Sequence, residues 1–239
     1  PQIEALRDVR VRQVATGYHN AMALDEAGGV WNWGRNEFGA SGMGNRQSAV
    51  PVPNIVVNEI SRQKGCRVRK IDSCADFSSF LLENGELYSF GNNDQSVMGI
   101  GEAAGFESSE SINYPTPIRG EDRSYPLFAD FSLGQATLAL VDAHGSVFAC
   151  GQKKHHHPAP FPLELRGQPL RCVAAGDRGV GVVTADNRLL AMDSFWGGGR
   201  ATVSPLTGLM EVDVAANFAG GQVLLVGGKY AQRFALVEL

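Results

Sequence analysis

Short runs of alternating apolar and polar residues, each closed by glycine or another turn-forming residue, follow one another along most of the chain. In residues 11–45, an apolar run at 21–24 and an alternating run at 30–33 flank a turn at Ala27-Gly28. Two such runs around a glycine turn are typical of a β-hairpin. Glycines at 34, 39, 42 and 44 then space a loop, and prolines at 51 and 53 mark the next extended strand. We therefore predict a unit of paired strands, a glycine-spaced loop and an outer strand.

This unit recurs in register along the chain, in five copies. The first strand of each copy carries an apolar residue three positions before its small last residue, and the members of this column are Val14, Ile71, Phe131, Val173 and Val214. A turn column follows further on, and it consists of Gly28, Gly85, Gly145, Asn187 and Gly228. Glycine and asparagine tolerate a left-handed backbone, so we predict a positive φ at each of these turns.

Aromatic residues occupy the second strand of the hairpin in the first three copies. They are Trp31, Trp33, Tyr88, Phe90 and Phe148. Because they alternate with small or polar residues, we interpret them as packing between sheets rather than as platforms that stack nucleic-acid bases. The prediction is that all five side chains are largely buried.

Residues 14–45 closely resemble one repeat of the regulator of chromosome condensation family, and residues 77–93 resemble it as well. The third copy loses the glycine-spaced loop, and the fifth keeps only the hairpin. Repeats of this family build a seven-bladed β-propeller. The resemblance thus implies an all-β fold, with about five four-stranded blades that form part of a seven-bladed ring.

The repeats divide the chain into one propeller domain, residues 1–239, whose units lie near 11–57, 68–119, 128–165, 170–207 and 211–239. A seven-bladed ring with about 40–50 residues per blade needs on the order of 300 residues or more. We therefore expect this chain to form a sector that does not close a ring by itself.

Charge and composition limit the partners. The chain has 21 lysines and arginines, 25 aspartates and glutamates, and a net charge of −4. Direct binding to nucleic acid is therefore not expected, because such proteins carry a basic surface. No apolar run approaches the roughly 18 residues of a membrane span, and no signal peptide is visible, so we expect an intracellular protein. The four cysteines form no CxxC pair and are predicted to be reduced structural thiols.

Two charged segments are candidate partner-contact loops. The insert at 101–113 is acidic and rich in serine, and it carries Glu102, Glu107 and Glu110. Loops on a rigid scaffold often carry binding specificity, although an acidic loop of this kind is also typical of a solvated segment. The second segment consists of Lys153, Lys154, His155, His156 and His157. Consecutive histidines rarely direct their rings at one metal ion, so a basic contact or an exposed loop is favoured over a metal site.

Residues with a catalytic signature are missing from the sequence, which has no G-x-S-x-G elbow, P-loop or HExxH motif. His19, two residues after Gly17, occupies a column that varies between copies, so we interpret it as a turn residue. We predict no catalytic, cofactor-binding or metal-binding residue and no enzymatic activity.

Two function classes follow from the family resemblance. Members of the family serve as interaction scaffolds or assembly subunits, which implies protein partners within a larger complex. The alternative is a guanine-nucleotide exchange factor for a small GTPase, which is the activity of the founding member. In that case the insert at 101–113 is the candidate for the loop that presses on the nucleotide pocket.

Overall fold

The structure is a computed structural model. It describes residues 3–56, 58–100, 111–122, 124, 126–151, 155–160, 169–176, 179–193, 201–203, 210–218, 221–229 and 232–238. Antiparallel sheets account for nearly all of its regular structure. The predicted all-β propeller fold is confirmed.

The first three sheets, or blades, each contain four strands in chain order. The first blade comprises β1 (Val11–Thr16), β2 (Asn20–Asp25), β3 (Val30–Arg35) and β4 (Ala49–Ile55). The second comprises β5 (Val68–Cys74), β6 (Phe77–Leu82), β7 (Leu87–Gly91) and β8 (Ile112–Pro117). The third comprises β9 (Phe128–Leu133), β10 (Thr137–Asp142), β11 (Val147–Gly151) and β12 (His155–Pro160).

The last two blades depart from the four-stranded pattern. The fourth has the order β13-β14-β15-β17-β16 and the fifth is the hairpin β18-β19. Their strands are β13 (Leu170–Ala175), β14 (Gly179–Thr184), β15 (Leu189–Asp193), β16 (Ala201–Val203), β17 (Met210–Val212), β18 (Gln222–Lys229) and β19 (Gln232–Glu238). The short strand β17 pairs with β15 because its apolar residue Val212 packs in the core between the fourth and fifth blades.

Helices are few and short. A 3-10 turn covers Glu4–Leu6, α1 covers Asn58–Lys64 and α2 covers Val214–Phe218. A helix needs about 20 residues to cross a bilayer, and no helix in the described part of the chain is long and apolar enough to do so.

Consecutive blades pack face to face through one repeated row of side chains. We call the residues that lie side by side on the first three strands of a blade its leading row. The leading rows are Ile71-Phe80-Tyr88 in the second blade, Phe131-Leu140-Phe148 in the third and Val173-Val182-Leu190 in the fourth. Each row packs against aliphatic residues of the preceding blade, as Ile71 and Phe80 do against Met22 and Leu24.

The equivalent row of the first blade, Val14-Ala23-Trp31, lies outside these core clusters. Val14 is 68% exposed, and Ile55, which pairs with Trp31 across β3 and β4, is 42% exposed. Val14 is therefore exposed at the row position where the later blades have the buried residues Ile71, Phe131 and Val173, whereas Ala23 in the same row is buried.

Polar side chains on the innermost strands link neighbouring blades. The Gln13 amide donates to the Ile71 carbonyl at 2.7 Å and accepts from the Ile71 N–H at 3.0 Å. The Lys70 ammonium donates to the Asp130 carboxylate at 2.6 Å and to the Phe131 carbonyl at 2.7 Å. Because these bonds join β1 to β5 and β5 to β9, they fix the blades relative to each other along the inner side of the sector.

The aromatic residues are less uniformly buried than the sequence predicts. Tyr88 and Phe90 are buried, whereas Trp31, Trp33 and Phe148 are half-buried. The two tryptophans lie on the uncovered face of the first blade. In the second blade, Ile60 of α1 packs against the cluster that contains Tyr88. Described residues between β8 and β9 form no helix that could cover Phe148 in the same way.

Four members of the turn column adopt a left-handed backbone. The φ angles are +89° at Gly28, +90° at Gly85, +79° at Gly145 and +68° at Asn187. The turn predicted at Gly228 is wrong, because this residue lies inside β18 and pairs with Arg233. Val214, predicted to lead a strand, begins α2 instead. The helix replaces the expected first strand of the fifth unit, and the pairing of β18 with β19 continues past Gly228 to Lys229 and Gln232.

The outer strands of the first three blades are marked by prolines. They are Pro51 and Pro53 in β4, Pro115 and Pro117 in β8, and Pro158 and Pro160 in β12. The Val56 N–H donates to the Val30 carbonyl at 2.8 Å, and the Ile118 N–H donates to the Leu87 carbonyl at 2.9 Å. Backbone nitrogens point alternately to the two sides along a strand. Pro53 lies three residues before Val56 and Pro117 lies one residue before Ile118, so the nitrogens of both prolines point outward, where no hydrogen bond of the sheet is lost.

The four cysteines form no disulfide, and Cys74 and Cys150 are buried. Burial raises the pKa of the Cys150 thiol well above its ordinary value. A protonated thiol in an apolar core is chemically inert, which agrees with the predicted structural role.

The two apolar residues Val14 and Ile71 occupy the same position of the leading row, and they provide a matched test of blade packing. We expect Ile71→Ala to lower the free energy of unfolding by about 2–5 kcal/mol, because it leaves a cavity between two sheets. Val14→Ala should change it by less than about 0.5 kcal/mol, as at exposed sites generally. Urea denaturation followed by circular dichroism measures both. Equal losses for the two variants would contradict the packing described here.

A second matched pair tests the turn column. Gly85 and Gly44 both have a positive φ, but a Cβ at Gly85 would lie 3.2 Å from the Phe128 carbonyl oxygen, whereas a Cβ at Gly44 would meet nothing within 4 Å. We expect Gly44→Val to cost about 1–2 kcal/mol of stability from backbone strain alone. Gly85→Val should cost more, because the Leu127-Phe128 segment must also move. A melting temperature of Gly85→Val equal to that of the unmodified chain would rule out this hairpin register.

Candidate functional site

The connections β1–β2, β5–β6 and β9–β10 lie at one end of the first three blades, together with the loops that follow β3 and β7. Antiparallel pairing puts the first and third connections of a blade at the same edge of its sheet. The blades are aligned side by side, so these loops meet. We call this edge the loop end.

A cleft of about 250 Å³ lies at the loop end between the first, second and third blades. Its polar lining residues are Tyr18, Asp76, Asn92, Asp94, Gln95 and Gln135, and Ala75 and Ala136 complete its wall. We call it the loop-end cleft. Each of the three blades contributes at least one of its lining residues, so the cleft depends on blade packing.

Backbone contacts hold the walls of the cleft in place. The Tyr18 N–H donates to the Ala75 carbonyl at 2.8 Å, which connects the first blade to the second. Ala75 itself has a φ of +50°, an uncommon conformation for a residue with a Cβ. The Asp94 N–H donates to the Asn92 side-chain oxygen at 2.9 Å, which closes a tight turn at the start of the loop after β7.

A set of glycines at the end of the third strand allows the two loops of each blade to meet. Gly34, Gly91 and Gly151 all have a φ of +110°. A Cβ at these positions would lie only 2.2–2.4 Å from a backbone carbonyl oxygen of the neighbouring loop, so no larger residue fits without movement. In the second blade this approach lets the Asn92 N–H donate to the Asp76 carbonyl at 2.9 Å, which brings two cleft residues together.

The electrostatic character of the cleft is acidic. Asp76 and Asp94 line it, and no lysine or arginine does so among the residues that the structure describes. His19 Nδ1 lies 3.7 Å from the Asp76 carboxylate, which is longer than a hydrogen bond. The nearby Arg35 guanidinium pairs with Glu37 and lies over the Phe38 ring, and it also interacts electrostatically with Asp76. The hydrogen bond that the Arg35 guanidinium donates to the Glu37 carboxylate raises the pKa of Arg35 above its ordinary value.

The structure describes only part of the two partner-contact loops that were predicted from the sequence. Glu102, Glu107 and Glu110 lie outside the described residues, as do Lys153 and Lys154. The three histidines from His155 to His157 begin strand β12, where His155 pairs with Gly151. They therefore belong to a sheet rather than to a loop, because the third blade uses them to extend its outer strand.

The cleft residues were not recognised as a site in the sequence. His19 and Asp76 occupy the same variable column, and Tyr18, Ala75 and Gln135 occupy the position before it. Variation at one fixed position of a structural repeat marks a surface that each copy uses differently. The variation of this column can be seen in the sequence. The cleft itself cannot, because its loops come from three blades that are far apart along the chain.

The arrangement favours recognition of a polar group over metal chemistry. In the described part of the chain, no group of three or more histidine, cysteine, aspartate or glutamate side chains is arranged to hold a metal ion. The cleft instead offers carboxylate, amide and phenol groups that can accept or donate hydrogen bonds.

Comparison with curated proteins gives two relatives of note, while no family model matches the chain. The chain is 25% identical to the ultraviolet-B receptor UVR8 of Arabidopsis thaliana over 197 residues, which cover 78% of the chain and 42% of UVR8. It is 33% identical to protein RCC2 of Homo sapiens over 97 residues, which cover 41% of the chain and 18% of RCC2. The chain thus spans less than half the length of these relatives.

A solved structure shares the fold. The crystal structure of Prp20p from Saccharomyces cerevisiae aligns with a TM-score of 0.72 at 20% identity. The alignment covers 95% of this chain and 55% of Prp20p. Prp20p is the yeast RCC1 protein. The repeated blades, together with these similarities, show a β-propeller whose repeats resemble those of the regulator of chromosome condensation family.

Proposed function

We propose that this chain is a non-catalytic protein–protein interaction module, which serves as a scaffold or assembly subunit in a larger complex. The observation that carries the proposal is the loop-end cleft, a small polar recess built by loops of three packed blades.

The size and lining of the cleft fit a protein partner better than a cofactor. Pockets for small molecules measure about 300–1,000 Å³ and are lined mostly by apolar side chains. The loop-end cleft is smaller, at about 250 Å³, and six of its lining residues are polar. A recess of this kind accommodates one side chain that projects from a partner's surface.

The rigidity of the surrounding structure supports the same conclusion. Backbone hydrogen bonds fix Tyr18 to Ala75 and Asn92 to Asp76, and the inner strands are cross-linked through Gln13 and Lys70. A preorganised surface loses little conformational entropy on binding, which favours its use in recognition.

The similarities support protein binding at the level of the family. The structure of Prp20p is described together with its binding properties to Gsp1p and histones, and both are proteins. By extension, we propose that this chain also binds protein partners, among them subunits of a large assembly.

The second candidate function is guanine-nucleotide exchange on a small GTPase. The likeness in fold to Prp20p, studied for its binding to Gsp1p, favours this alternative. The insert at 101–113 remains the candidate exchange loop, and Glu102, Glu107 and Glu110 remain candidate contacts. Replacing residues 102–110 by a glycine-serine linker separates the two functions. If the insert is an exchange loop, this variant should release a fluorescent nucleotide from a bound GTPase at least about tenfold more slowly than the unmodified chain. If the chain is a scaffold, the variant should still capture its partner.

Site-specific photocrosslinking tests the proposed interaction surface. We expect a benzophenone amino acid at Gln95, on the cleft wall, to crosslink a protein partner in cell extract. The same amino acid at Glu83 should yield at least about fivefold less adduct, because Glu83 lies in the β6–β7 turn at the opposite end of the blade. Mass spectrometry of the adducts measures both. Equal yields at the two positions, or adducts only at Glu83, would overturn the proposed surface.

A further inference from the structure

The polar groups of the loop-end cleft have a combination that points to one kind of side chain. We infer that the cleft binds an arginine side chain of the protein partner, an inference that rests on the proposed interaction function.

The first argument is charge. Asp76 and Asp94 project from two neighbouring loops of the second blade, and Asp76 is largely buried, with 20% of its side chain exposed. Among the described residues, the only basic side chain within 4 Å of either carboxylate is His19, at 3.7 Å from Asp76. The Arg35 guanidinium also acts on Asp76 electrostatically, from beyond hydrogen-bond distance. Two carboxylates that share one cleft and have no basic group within hydrogen-bond distance among the described residues attract a further cation, since the local dielectric is low.

The second argument is the aromatic wall. Tyr18 is 48% exposed, although aromatic side chains of this size are usually buried in a propeller core. Its ring lines the same cleft as the two carboxylates, and its centroid lies 6.0 Å from that of the His19 ring. A guanidinium group is planar and weakly hydrated, so it can stack on such a ring while its N–H groups donate to carboxylates.

The third argument is the array of amides around these groups. Asn92 and Gln95 come from the loop after β7, and Gln135 comes from the β9–β10 connection of the next blade. Their carbonyl oxygens can accept the guanidinium hydrogens that the carboxylates do not reach. A guanidinium group offers five N–H donors in a fixed plane, whereas a lysine ammonium offers three from one point.

Other occupants fit less well. A phosphate or carboxylate ligand would meet the like charges of Asp76 and Asp94. A calcium ion requires six to eight oxygen ligands, and the described residues contain no group of three or more metal-binding side chains. A cationic, planar and hydrogen-bond-rich side chain satisfies the charge, the ring and the amides together.

Titration with blocked tripeptides tests this inference on the full chain. The probes are glycyl-arginyl-glycine, its lysine analogue and its citrulline analogue, in which a neutral urea replaces the guanidinium group. Amide correlation spectra report the binding. We expect saturable shifts at Tyr18, Asp76 and Gln135 with a Kd on the order of 1 mM for the arginine probe. The citrulline probe should bind at least about tenfold more weakly, since it loses the charge-assisted hydrogen bonds.

Matched variants sharpen the test. Asp94→Asn should weaken the arginine probe about tenfold, and Tyr18→Leu should remove the preference for arginine over lysine. Asp122→Asn removes the same charge from an exposed aspartate in the β8–β9 connection at the opposite end, and it should leave binding unchanged. Because Asp94 and Asp122 are both exposed, neither substitution disturbs the fold.

Two results would overturn the arginine site. One is equal binding of the citrulline and arginine probes, and the other is an equal effect of Asp94→Asn and Asp122→Asn. If the crosslinking at Gln95 still succeeds, the interaction function stands and only the arginine assignment fails. If the probes bind as expected but Gln95 yields no protein adduct, the cleft recognises arginine and the proposed interaction function fails.

Discussion

Aliphatic side chains of one blade meet the leading row of the next, and no hairpin of this chain could remain folded without that contact. An isolated hairpin is marginal in water because it buries too little apolar surface to offset its loss of conformational entropy. In this chain, Ile71 and Phe80 of the second blade cover Met22 and Leu24 of the first, and the arrangement repeats along the sector. Stability is therefore a property of neighbouring pairs of blades, as in other repeat proteins.

Blade packing also creates the site. Tyr18, Asp76 and Gln135 lie in three different blades, and they line one cleft only because the inner strands are fixed side by side. The glycines at the ends of the third strands add a local constraint, since Gly91 lets the loop after β7 approach the β5–β6 connection. A substitution in the core can therefore alter the cleft without touching any residue in it.

The sequence predicted the features that depend on local pattern. Alternating residues around Gly85 indicate a hairpin because the turn and both strands lie within a few residues of each other. It misplaced Gly228 because α2 takes the place of a strand, and a helix of only five residues has little periodicity of its own. The exposure of Trp31 could not be predicted, because burial there depends on a neighbouring sheet. The loop-end cleft escaped for the same reason, since its residues come from loops far apart in sequence.

The prolines of the outer strands have a consequence for the behaviour of the protein at high concentration. The outermost strand of a sheet can recruit a strand from another molecule, and repetition of that event produces fibrous aggregates. In β4 and β8, Pro53 and Pro117 turn a nitrogen without hydrogen toward the surroundings, so a foreign strand would find no donor at those points. The rim of the sector is thereby protected from strand addition.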